Sequence, residues 1–304
     1  MALITALVLV AMATILATAI AFRSTLTARR GIAIFTMTQS MRFGEAAEAM
    51  AAYVLQQALN SPVTTPNQDW AQPYGPIQMD ENTTLEAQLE DEQGKFNINH
   101  LLGAQGVVAP ESESLAEFKR LLLELQIDPG IASQVVDWID ANSEPTQPDG
   151  AEDSTYLAMV PAYRTPNIPI SSISELLALP GMNRAIYDRL SPYITALPVS
   201  AQVNVCTASG VVLDAMLGQI EWSSDPTQLQ ALRTQANGCF PDTGYLQRQY
   251  PNLWPKMQPN VIETSHYFRL RTWIALGTTQ FTLYSLIQRS NGGIHIILRT
   301  FGTE

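Results

Sequence analysis

The chain has 304 residues, of which 46% are hydrophobic and 15% charged, with a formal net charge of -11 and a pI near 4.7. This composition excludes a disordered chain. The acidic balance argues against a nucleic-acid backbone as the partner, because proteins that bind one usually present a basic surface. The length fits one large domain or two small ones, and it is sufficient to bury a substantial core without disulfides.

The chain opens with an apolar run, residues 1–22, that contains no charged side chain. A helix needs about 20 apolar residues to cross the hydrocarbon core of a bilayer, so this run is long enough to span one. It is too long for a cleaved secretory signal and lacks the basic n-region of one. The run predicts a membrane anchor that can also pack in an assembly, the alternative being a buried helix of a large soluble core.

The charges beside the run point in conflicting directions. Arg23, Arg29 and Arg30 follow it, and the positive-inside rule would leave the rest of the chain in the cytoplasm. The acidic body and an even number of cysteines, Cys206 and Cys239, argue otherwise. A basic leader that preceded Met1 and was removed after setting the orientation would reconcile them. The two cysteines are compatible with one disulfide or with two buried thiols.

The helix need not stop at the end of the apolar run. No proline occurs before Pro62, and residues 44–59 are rich in good helix formers with apolar positions at helical spacing. We predict a single helix from about residue 2 to residue 59, with its first half in the membrane and its second half packed on a globular body. Residues 60–80 are proline-rich and aperiodic, which predicts a loop.

Strand patterns follow this loop and return at the end of the chain. Within residues 83–98, apolar and polar side chains alternate from Leu85 to Glu90, as in a half-buried strand, and Gln93-Gly94 marks a turn. Residues 266–276, 279–289 and 293–301 are rich in β-branched and aromatic residues and are separated by glycine-containing turns. They predict an antiparallel meander at the C-terminus.

The region between the strands, residues 100–260, has helical signals. These are two Asp-Pro starts, a capping box and an Asn-Gly end. They lie at Asp128-Pro129 and Asp225-Pro226, at Ser172 with Glu175, and at Asn237-Gly238. The chain order of one long helix, a strand, helices and further strands predicts a helical insertion into a helix-plus-sheet domain.

An acidic loop stands out within this insertion, because no Lys, Arg or His occurs from Leu121 to Tyr163. Asp137 and Asp140 share one face at the C-terminal end of a predicted helix, where the helix dipole disfavours negative charge. Further carboxylates follow closely, so these negatively charged side chains should repel one another. A hard divalent cation would relieve this repulsion, and calcium takes six to eight oxygen ligands.

The start of the loop, Asp140-x-Asn142-x-Glu144, is similar to the first half of an EF-hand. Pro145 then stands where the turn glycine belongs, and Ala151 replaces the terminal glutamate. These departures argue against an EF-hand and leave a calcium loop of another kind. The alternative is a solvated acidic loop without a metal.

Catalysis finds little support in the sequence. His100, His266 and His295 lie in different segments without metal-ligand spacing, and there is no GxSxG motif and no phosphate-binding glycine loop. Asp137 and Asp140 could form a carboxylate pair, but no cleft-building pattern surrounds them. We therefore predict a non-enzymatic protein.

Residues 176–190 look like a helix-hairpin-helix element with Pro180-Gly181 as its turn, and residues 203–217 are similar to the opening of another. Such hairpins can present backbone N–H groups to DNA phosphates. The basic residues of the first element are Arg184 and Arg189, and it lies in an acidic domain that would repel DNA. Electrostatics therefore favour a hairpin used only for packing.

Taken in this order and spacing, several segments resemble the minor pseudopilin K family of type II secretion. They are residues 2–10, 89–99, 137–157 with 161–164, 172–182 with 192–198, and 203–209. The resemblance covers nearly the whole chain. It implies an α+β, pilin-like fold: a long N-terminal helix packed on a small antiparallel sheet, with a large inserted α-helical domain.

The resemblance also implies a division of the chain. Residues 1–22 would be the transmembrane half of the helix, and residues 23–99 would add its amphipathic half, a loop and the first strand. Residues 100–260 would form the inserted domain with its calcium loop, and residues 261–304 would complete the sheet.

A calcium site and a processing site follow from the same resemblance. The implied ligands come from the acidic loop: Asp137, Asp140, Glu144, Glu152 and Asp153, followed by Asn142 and Asp149. Family members have a leader that is cut by the prepilin peptidase, which makes Met1 the processed and N-methylated terminus. The chain would then be a single-pass inner-membrane protein with its globular part in the periplasm.

Thr5 bears on where in the pseudopilus the resemblance would place this subunit. Most pilins and pseudopilins carry glutamate at the fifth mature residue, where it neutralises a neighbour's N-terminal amine inside the helix bundle. This chain has Thr5 at that position, and members of the K family likewise lack the glutamate. The resemblance therefore implies a subunit at the pseudopilus tip that nucleates assembly with minor pseudopilins I and J. Pseudopilins H and G and membrane lipids are further expected partners. The alternative is a membrane-anchored periplasmic DNA-binding protein of the competence type.

Overall fold

The computed structural model describes residues 2–58, 61–103, 106–109, 111–242, 244–290 and 292–302. Met1, the predicted processing and N-methylation site, lies outside the described residues.

The chain begins with a continuous helix, α1, Ala2–Gln57, which matches the predicted long helix. Every side chain from residue 2 to residue 35 is exposed. Burial starts at Ser40 and continues at Gly44, Ala47, Ala51 and Leu55, a spacing of three and four that forms one stripe along the helix. The second half of α1 therefore packs on the globular body, and the first half extends away from it.

The stripe rests on an antiparallel sheet with the order β1-β2-β7-β8-β9. Ala47, Ala51 and Leu55 of α1 meet one face of the sheet in a shared hydrophobic core. The strands are β1 Tyr74–Asp80, β2 Thr83–Asp91, β7 Tyr267–Leu276, β8 Thr279–Ser290 and β9 Gly293–Phe301. The strand predicted from the alternation at residues 85–90 is confirmed within β2, and the C-terminal meander is confirmed as β7, β8 and β9.

The prediction of a loop throughout residues 60–80 is wrong for β1. This strand is at the edge of the sheet and pairs with β2 in an irregular register. Its Pro76 lacks a backbone N–H, which an edge strand tolerates because one side of it needs no ladder partner. The region before the insertion therefore contributes two strands to the sheet, where the sequence predicted one.

Two features hold α1 against the sheet. A Cβ added to Gly44 would lie 2.4 Å from Cδ2 of Leu283, so glycine lets the helix approach β8 closely. Buried Glu48 accepts hydrogen bonds from Ser285 Oγ at 2.6 Å and from Arg299 Nε and Nη2 at 2.7 and 2.6 Å. This bidentate pair fastens the helix to β8 and β9.

The insertion lies between β2 and β7 and is largely helical, as predicted. Its helices are short and surround two hydrophobic cores, one formed by residues 96–215 and one by residues 203–257. Short parallel strand pairs, β3 with β4 and β5 with β6, accompany them. The elements are β3 Phe96–Asn97, α2 Glu113–Glu124, α3 Ile131–Ile139, α4 Asp153–Tyr156, α5 Arg184–Leu190, β4 Ile194–Thr195, β5 Val203–Asn204, α6 Gly210–Leu217, α7 Pro226–Gln235, α8 Tyr245–Gln249, α9 Trp254–Met257 and β6 Val261–Ile262.

The predicted helix starts are confirmed with one adjustment. Asp225 caps α7 with Pro226 in its first turn, and the Ser172–Glu175 capping box is present at the start of a 3-10 helix. Asp128 instead accepts a hydrogen bond from Gly130 N at 2.9 Å, which closes a tight turn, and α3 begins only at Ile131.

A buried polar network joins the insertion to the sheet. Asp91, at the end of β2, accepts hydrogen bonds from Gln93 N at 2.9 Å, Asn204 Nδ2 at 3.1 Å and Ser265 Oγ at 2.6 Å, and from Thr207 Oγ1. Gln93 and Ser265 lie where the insertion begins and ends, and Asn204 and Thr207 lie in its middle, at and just after β5. The network therefore fixes both connections of the inserted domain at one point.

Cys206 and Cys239 form a disulfide across a sequence separation of 33 residues. It closes the stretch that contains α6 and α7, within the second core of the insertion. Arg233, buried between them, donates from Nη2 to the carbonyl oxygen of Ala208 at 2.8 Å and to that of Val205. The bond and this side chain hold the same part of the second core together.

Candidate functional site

The acidic loop starts at the end of α3, where Asp137 lies in the last turn and Asp140 is the C-cap residue. Thr146 N donates to both carboxylate oxygens of Asp137, at 3.0 and 3.1 Å. Gly150 N donates to Thr146 O at 2.7 Å, and a Cβ at Gly150 would lie 2.2 Å from Asp137 Oδ2. Residues 146–150 therefore fold tightly over Asp137, and glycine is required where they cross it.

Three buried oxygen atoms in and beside this loop have no hydrogen-bond partner: Asp140 Oδ1 and Glu152 Oε1 within it and Asn167 Oδ1 just after it. The other polar atom of each side chain is held, because Asn142 Nδ2 donates to Asp140 Oδ2 at 2.6 Å and Thr165 Oγ1 donates to Glu152 Oε2 at 3.2 Å. Asn167 Nδ2 donates to the Asn142 carbonyl oxygen at 3.0 Å. Buried oxygens without a donor are unfavourable unless a cation or water satisfies them.

The charges in this loop oppose one another. Burial raises the pKa of Asp140 to about 6, and the charge of Asp137 adds to the increase. Burial also raises the pKa of Glu152, with the charges of Asp137 and Asp140 contributing. The pKa of Asp137 is raised by burial as well. The three carboxylates are therefore close enough to interact, and their mutual repulsion favours a bound cation.

The remaining predicted ligands lie further out. Asp153 pairs with Arg164 Nη1 at 3.0 Å, and Glu144 and Asp149 are exposed. Asn142 uses its Oδ1 atom to accept a hydrogen bond from Glu144 N at 2.7 Å. Of the predicted set, Asp137, Asp140 and Glu152 are thus the ones that lie close enough for their charges to interact.

Asn167 is the residue of this site that the sequence analysis missed. Its φ is 50°, a left-handed conformation that asparagine tolerates better than most residues. A search for carboxylates does not find it, because its amide oxygen is uncharged.

Within the part of the chain that the structure describes, no three carboxylate, imidazole or thiolate side chains converge to hold a metal by themselves. Calcium does not require this, since amide and backbone carbonyl oxygens and water also serve as its ligands. The unpartnered oxygens of Asp140, Glu152 and Asn167 belong to this class of donor. The residues present therefore fit a hard cation bound by a mixed set of oxygens.

An aromatic cluster lies next to the acidic loop. The ring centroids of Trp138 and Tyr156 lie 5.3 Å apart, as do those of Tyr156 and Tyr163. The hydroxyl of Tyr163 donates to the Ala178 carbonyl oxygen at 2.6 Å. The cluster thereby connects the acidic loop to the predicted hairpin.

The predicted helix-hairpin-helix element makes its polar contacts inside the chain. Gly181 N, in the turn, donates to Gln134 Oε1 at 2.8 Å, so α3 occupies the amide that a phosphate would need. Arg184 forms an ion pair with Asp188 at 2.8 Å. This geometry favours the packing interpretation of the hairpin.

The exposed half of α1 is the second functional feature. Among the described residues, α1 is the helix long and apolar enough to cross a membrane by its length and composition, and its apolar stretch is wholly exposed. The hydroxyls of Thr5 and Thr14 donate to the carbonyl oxygens of Ala2 and Ala11, at 2.9 and 2.8 Å. The helix thus satisfies these hydroxyls itself, as an apolar environment requires.

Sequence comparisons identify related proteins. The sequence model for type II secretion system protein K matches residues 94–199. The chain is 32% identical to type II secretion system protein K of Pseudomonas aeruginosa, over 99% of this chain and 92% of that protein. It is 30% identical to the protein of the same name from Pectobacterium carotovorum, over 87% of this chain and 84% of that protein.

A solved structure shares the fold. A chain in the crystal structure of the GspK-GspI-GspJ complex from the enterotoxigenic Escherichia coli type 2 secretion system matches with a TM-score of 0.74 and 24% identity. The match covers 90% of this chain and 100% of that one. It confirms the predicted α+β, pilin-like architecture, and the sequence relatives show that the chain belongs to the type II secretion system protein K family.

Proposed function

We propose that this chain is the minor pseudopilin at the tip of the type II secretion pseudopilus. There it nucleates assembly with minor pseudopilins I and J for the export of folded proteins across the outer membrane. The observation that carries the proposal is the contrast along α1. Residues 2–35 are exposed and mostly apolar, so lipid or other helices must cover them, while the same helix carries a bulky inserted domain at its other end.

The proposed partners follow from the family and the solved relative. The GspK-GspI-GspJ complex contains three such proteins, and the likeness in fold extends over most of this chain. Carried over to this chain, I-type and J-type pseudopilins are the direct partners. The H-type and the major G-type pseudopilin are more distant partners in the same filament.

Thr5 supports a place at the tip. Its hydroxyl is bonded to its own helix, and it offers no carboxylate to the N-terminal amine of a subunit above it. A subunit with nothing above it does not need that carboxylate. The insertion fits the same place, because it would obstruct further subunits stacked on top.

The proposed location is the inner membrane before assembly, with the globular part in the periplasm. The apolar half of α1 fits a single-pass anchor by length and composition. A leader cut before Met1, and N-methylation there, belong to the same proposal. An alkaline phosphatase fused after Glu304 should be active, and an inactive fusion would contradict the orientation.

Calcium binding in the acidic loop is the second part of the proposal. Asp137, Asp140 and Glu152 would provide the carboxylates, and Asn167 would add its amide oxygen. The ion would order the loop against α3 by offsetting the repulsion among these groups. Calorimetric titration of the full chain should show calcium heat together with a raised melting temperature, and the absence of both would overturn this part.

The proposed role is not enzymatic. Nδ1 of His100 and of His266 lie 3.0 and 3.2 Å from the carbonyl oxygens of Val199 and Arg289, which indicates structural use of both rings. His295 is exposed on β9, far along the chain from either.

Copurification tests the assembly role. The full chain in detergent, expressed with tagged I-type and J-type pseudopilins of the same system, should be retained as a stable three-protein complex. If the chain is not retained, and instead binds DNA in a salt-sensitive manner in a filter assay, the proposal is wrong and the DNA-binding alternative holds.

A further inference from the structure

A buried tyrosine beside the acidic loop carries a hydroxyl that the fold does not use. Tyr156 is the last residue of α4, and its side chain is 0% exposed. Within the part of the chain that the structure describes, its hydroxyl has no hydrogen-bond partner. A buried hydroxyl without a partner costs free energy that phenylalanine at the same position would avoid. Tyrosine at this position therefore points to a state of the molecule in which the hydroxyl is bonded.

The ring of Tyr156 is packed on two sides. Trp138 meets it edge to face, with 5.3 Å between the ring centroids and 67° between the planes. Tyr163 lies against it at the same centroid distance and at 41°. The backbone N–H of Tyr156 donates to the carbonyl oxygen of Glu152 at 3.3 Å, which ties the ring to the acidic loop. This packing keeps the hydroxyl inside the protein, so its partner has to be a group of the buried loop or a molecule bound there.

Two carboxylates of the acidic loop lie close enough to act on this hydroxyl. Burial raises the pKa of Tyr156, and the charges of Asp137 and Glu152 contribute to the increase. Both oxygens of Asp137 already accept a hydrogen bond from Thr146 N. On Glu152, Oε2 accepts one from Thr165 Oγ1 at 3.2 Å, whereas the buried Oε1 has no partner. A buried donor without an acceptor and a buried acceptor without a donor thus occur four residues apart.

We infer that Tyr156 positions Glu152 in the calcium-bound form of the loop, where its hydroxyl donates to Glu152 Oε1 directly or through one water. This inference rests on the calcium site of the proposed function. A carboxylate oxygen has more than one lone pair, so it can contact a cation and still accept a hydrogen bond. A group that donates to a metal ligand fixes the orientation of that ligand and thereby strengthens metal binding. Tyr156 acts through Glu152 and does not itself contact the cation.

A permanently bound water is the alternative explanation. Trp138 Nε1 is a second buried donor beside the loop without a partner. An ordered water that accepts from both Trp138 and Tyr156 would satisfy the two donors whether or not calcium is present. Removal of the hydroxyl would then weaken the fold equally in both conditions. The two explanations therefore differ in whether the effect of the hydroxyl depends on calcium.

Tyr156→Phe removes the hydroxyl and keeps the ring. Calorimetric titration of the full chain in detergent with calcium chloride measures the dissociation constant, and thermal unfolding with calcium and with chelator measures stability. Because the loss of a group that orients a metal ligand weakens binding about 10–100-fold, Tyr156→Phe should raise the dissociation constant about tenfold or more. In chelator its melting temperature should equal or exceed that of the wild type, since the variant removes a buried hydroxyl without a partner.

Tyr163→Phe is the matched control from the same aromatic cluster. The hydroxyl of Tyr163 is already bonded, because it donates to the Ala178 carbonyl oxygen at 2.6 Å. Its removal should lower the melting temperature by the same amount with calcium and with chelator, since the carbonyl oxygen loses its donor in both conditions. The dissociation constant for calcium should stay within about twofold of the wild type, because this hydroxyl orients no ligand of the site.

The outcomes separate this inference from the proposed function. If the wild type binds calcium and Tyr156→Phe binds it as tightly, Tyr156 does not position Glu152, and the calcium site stands. The inference is also overturned if Tyr156→Phe lowers the melting temperature equally with calcium and with chelator. Equal weakening of calcium binding by Tyr163→Phe would assign the effect to disturbed ring packing and overturn it as well. If the wild type does not bind calcium, the calcium part of the proposed function fails and this inference fails with it.

Discussion

The junction of the inserted domain and the acidic loop both bury carboxylates, but they satisfy them differently. At the junction, Asp91 receives four hydrogen bonds from groups of the chain itself. In the acidic loop, Asp140 and Glu152 each keep a buried oxygen without a partner. The number of acids in a segment is therefore a weaker argument for a metal than the oxygens that the fold leaves unsatisfied.

A third buried acid shows another solution. Glu117, in α2, is 1% exposed, and neither of its carboxylate oxygens has a partner. Burial raises its pKa to about 8, an effect that Arg120 reduces and Glu113 increases. The side chain is thus mainly protonated at neutral pH. The chain thus stabilises a buried carboxyl group in three ways. Asp91 accepts hydrogen bonds from the chain's own donors, Glu117 is protonated, and Asp140, in our proposal, binds calcium.

The largest expected effect is at the junction. Asp91→Ala removes the acceptor of four buried donors and should lower the free energy of unfolding by about 3–5 kcal/mol. The loss should be the same with and without calcium, because these donors belong to the chain. Denaturant unfolding in both conditions measures it, with exposed Glu86→Ala on the same strand as the control. A loss that calcium restores would remove the distinction between the two regions.

The disulfide gives the next effect, and it is independent of buried acids. It closes a stretch of 33 residues, so the double variant Cys206→Ser, Cys239→Ser should lower the free energy of unfolding by about 3–4 kcal/mol. Calcium-induced stabilisation should persist in this variant, because the acidic loop belongs to the other core of the insertion. Loss of both effects together would mean that the two cores do not act separately.

Calcium should stabilise the wild type by about 2.7 kcal/mol at a concentration one hundred times its dissociation constant. Asp140→Asn should remove most of this gain, since one of the unpartnered oxygens then loses its charge. Asp149→Asn, a variant in the same loop at an exposed position, should keep it. Thermal unfolding with calcium and with chelator measures both, and equal responses from the two variants would return the loop to a solvated acidic segment.

Glu117→Gln should give the smallest net change, because a linkage gain of about 3 kcal/mol at pH 7 is reduced by the cost of burying an unpartnered amide. Because the folded pKa, about 8, exceeds the ordinary value of 4.5, the folded state binds more protons between these two pH values. The stability of the wild type should therefore fall as pH rises from about 4.5 to 8, and Glu117→Gln should flatten that decline. Unfolding measured across this range, with exposed Glu111→Gln as the control, decides it. An unchanged slope would mean that Glu117 is ionised in the fold.

The sequence predicts most of the architecture, because the relevant signals are local. The long helix, the alternating strand at residues 85–90 and the meander each have an uninterrupted period. The strand β1 has none, since Pro76 and an irregular register remove the alternation that marks a strand. Its place is decided by pairing with β2 and not by its own residues.

The site is predicted less completely for a related reason. Asp137, Asp140 and Glu152 are visible as acids in one segment, but Asn167 contributes an uncharged oxygen from beyond it. The junction network is invisible in the sequence, because Asp91 and Asn204 are 113 residues apart and meet only in the fold. Which acids are paired and which are left unsatisfied is therefore a property of the tertiary structure.

The central claim is that this chain lies at the tip of the pseudopilus. The most direct test is electron microscopy of assembled pseudopili in which this chain, and no other subunit, carries a label. We expect the label at one end of each filament and nowhere along its length. Labels distributed along the filament would contradict the account.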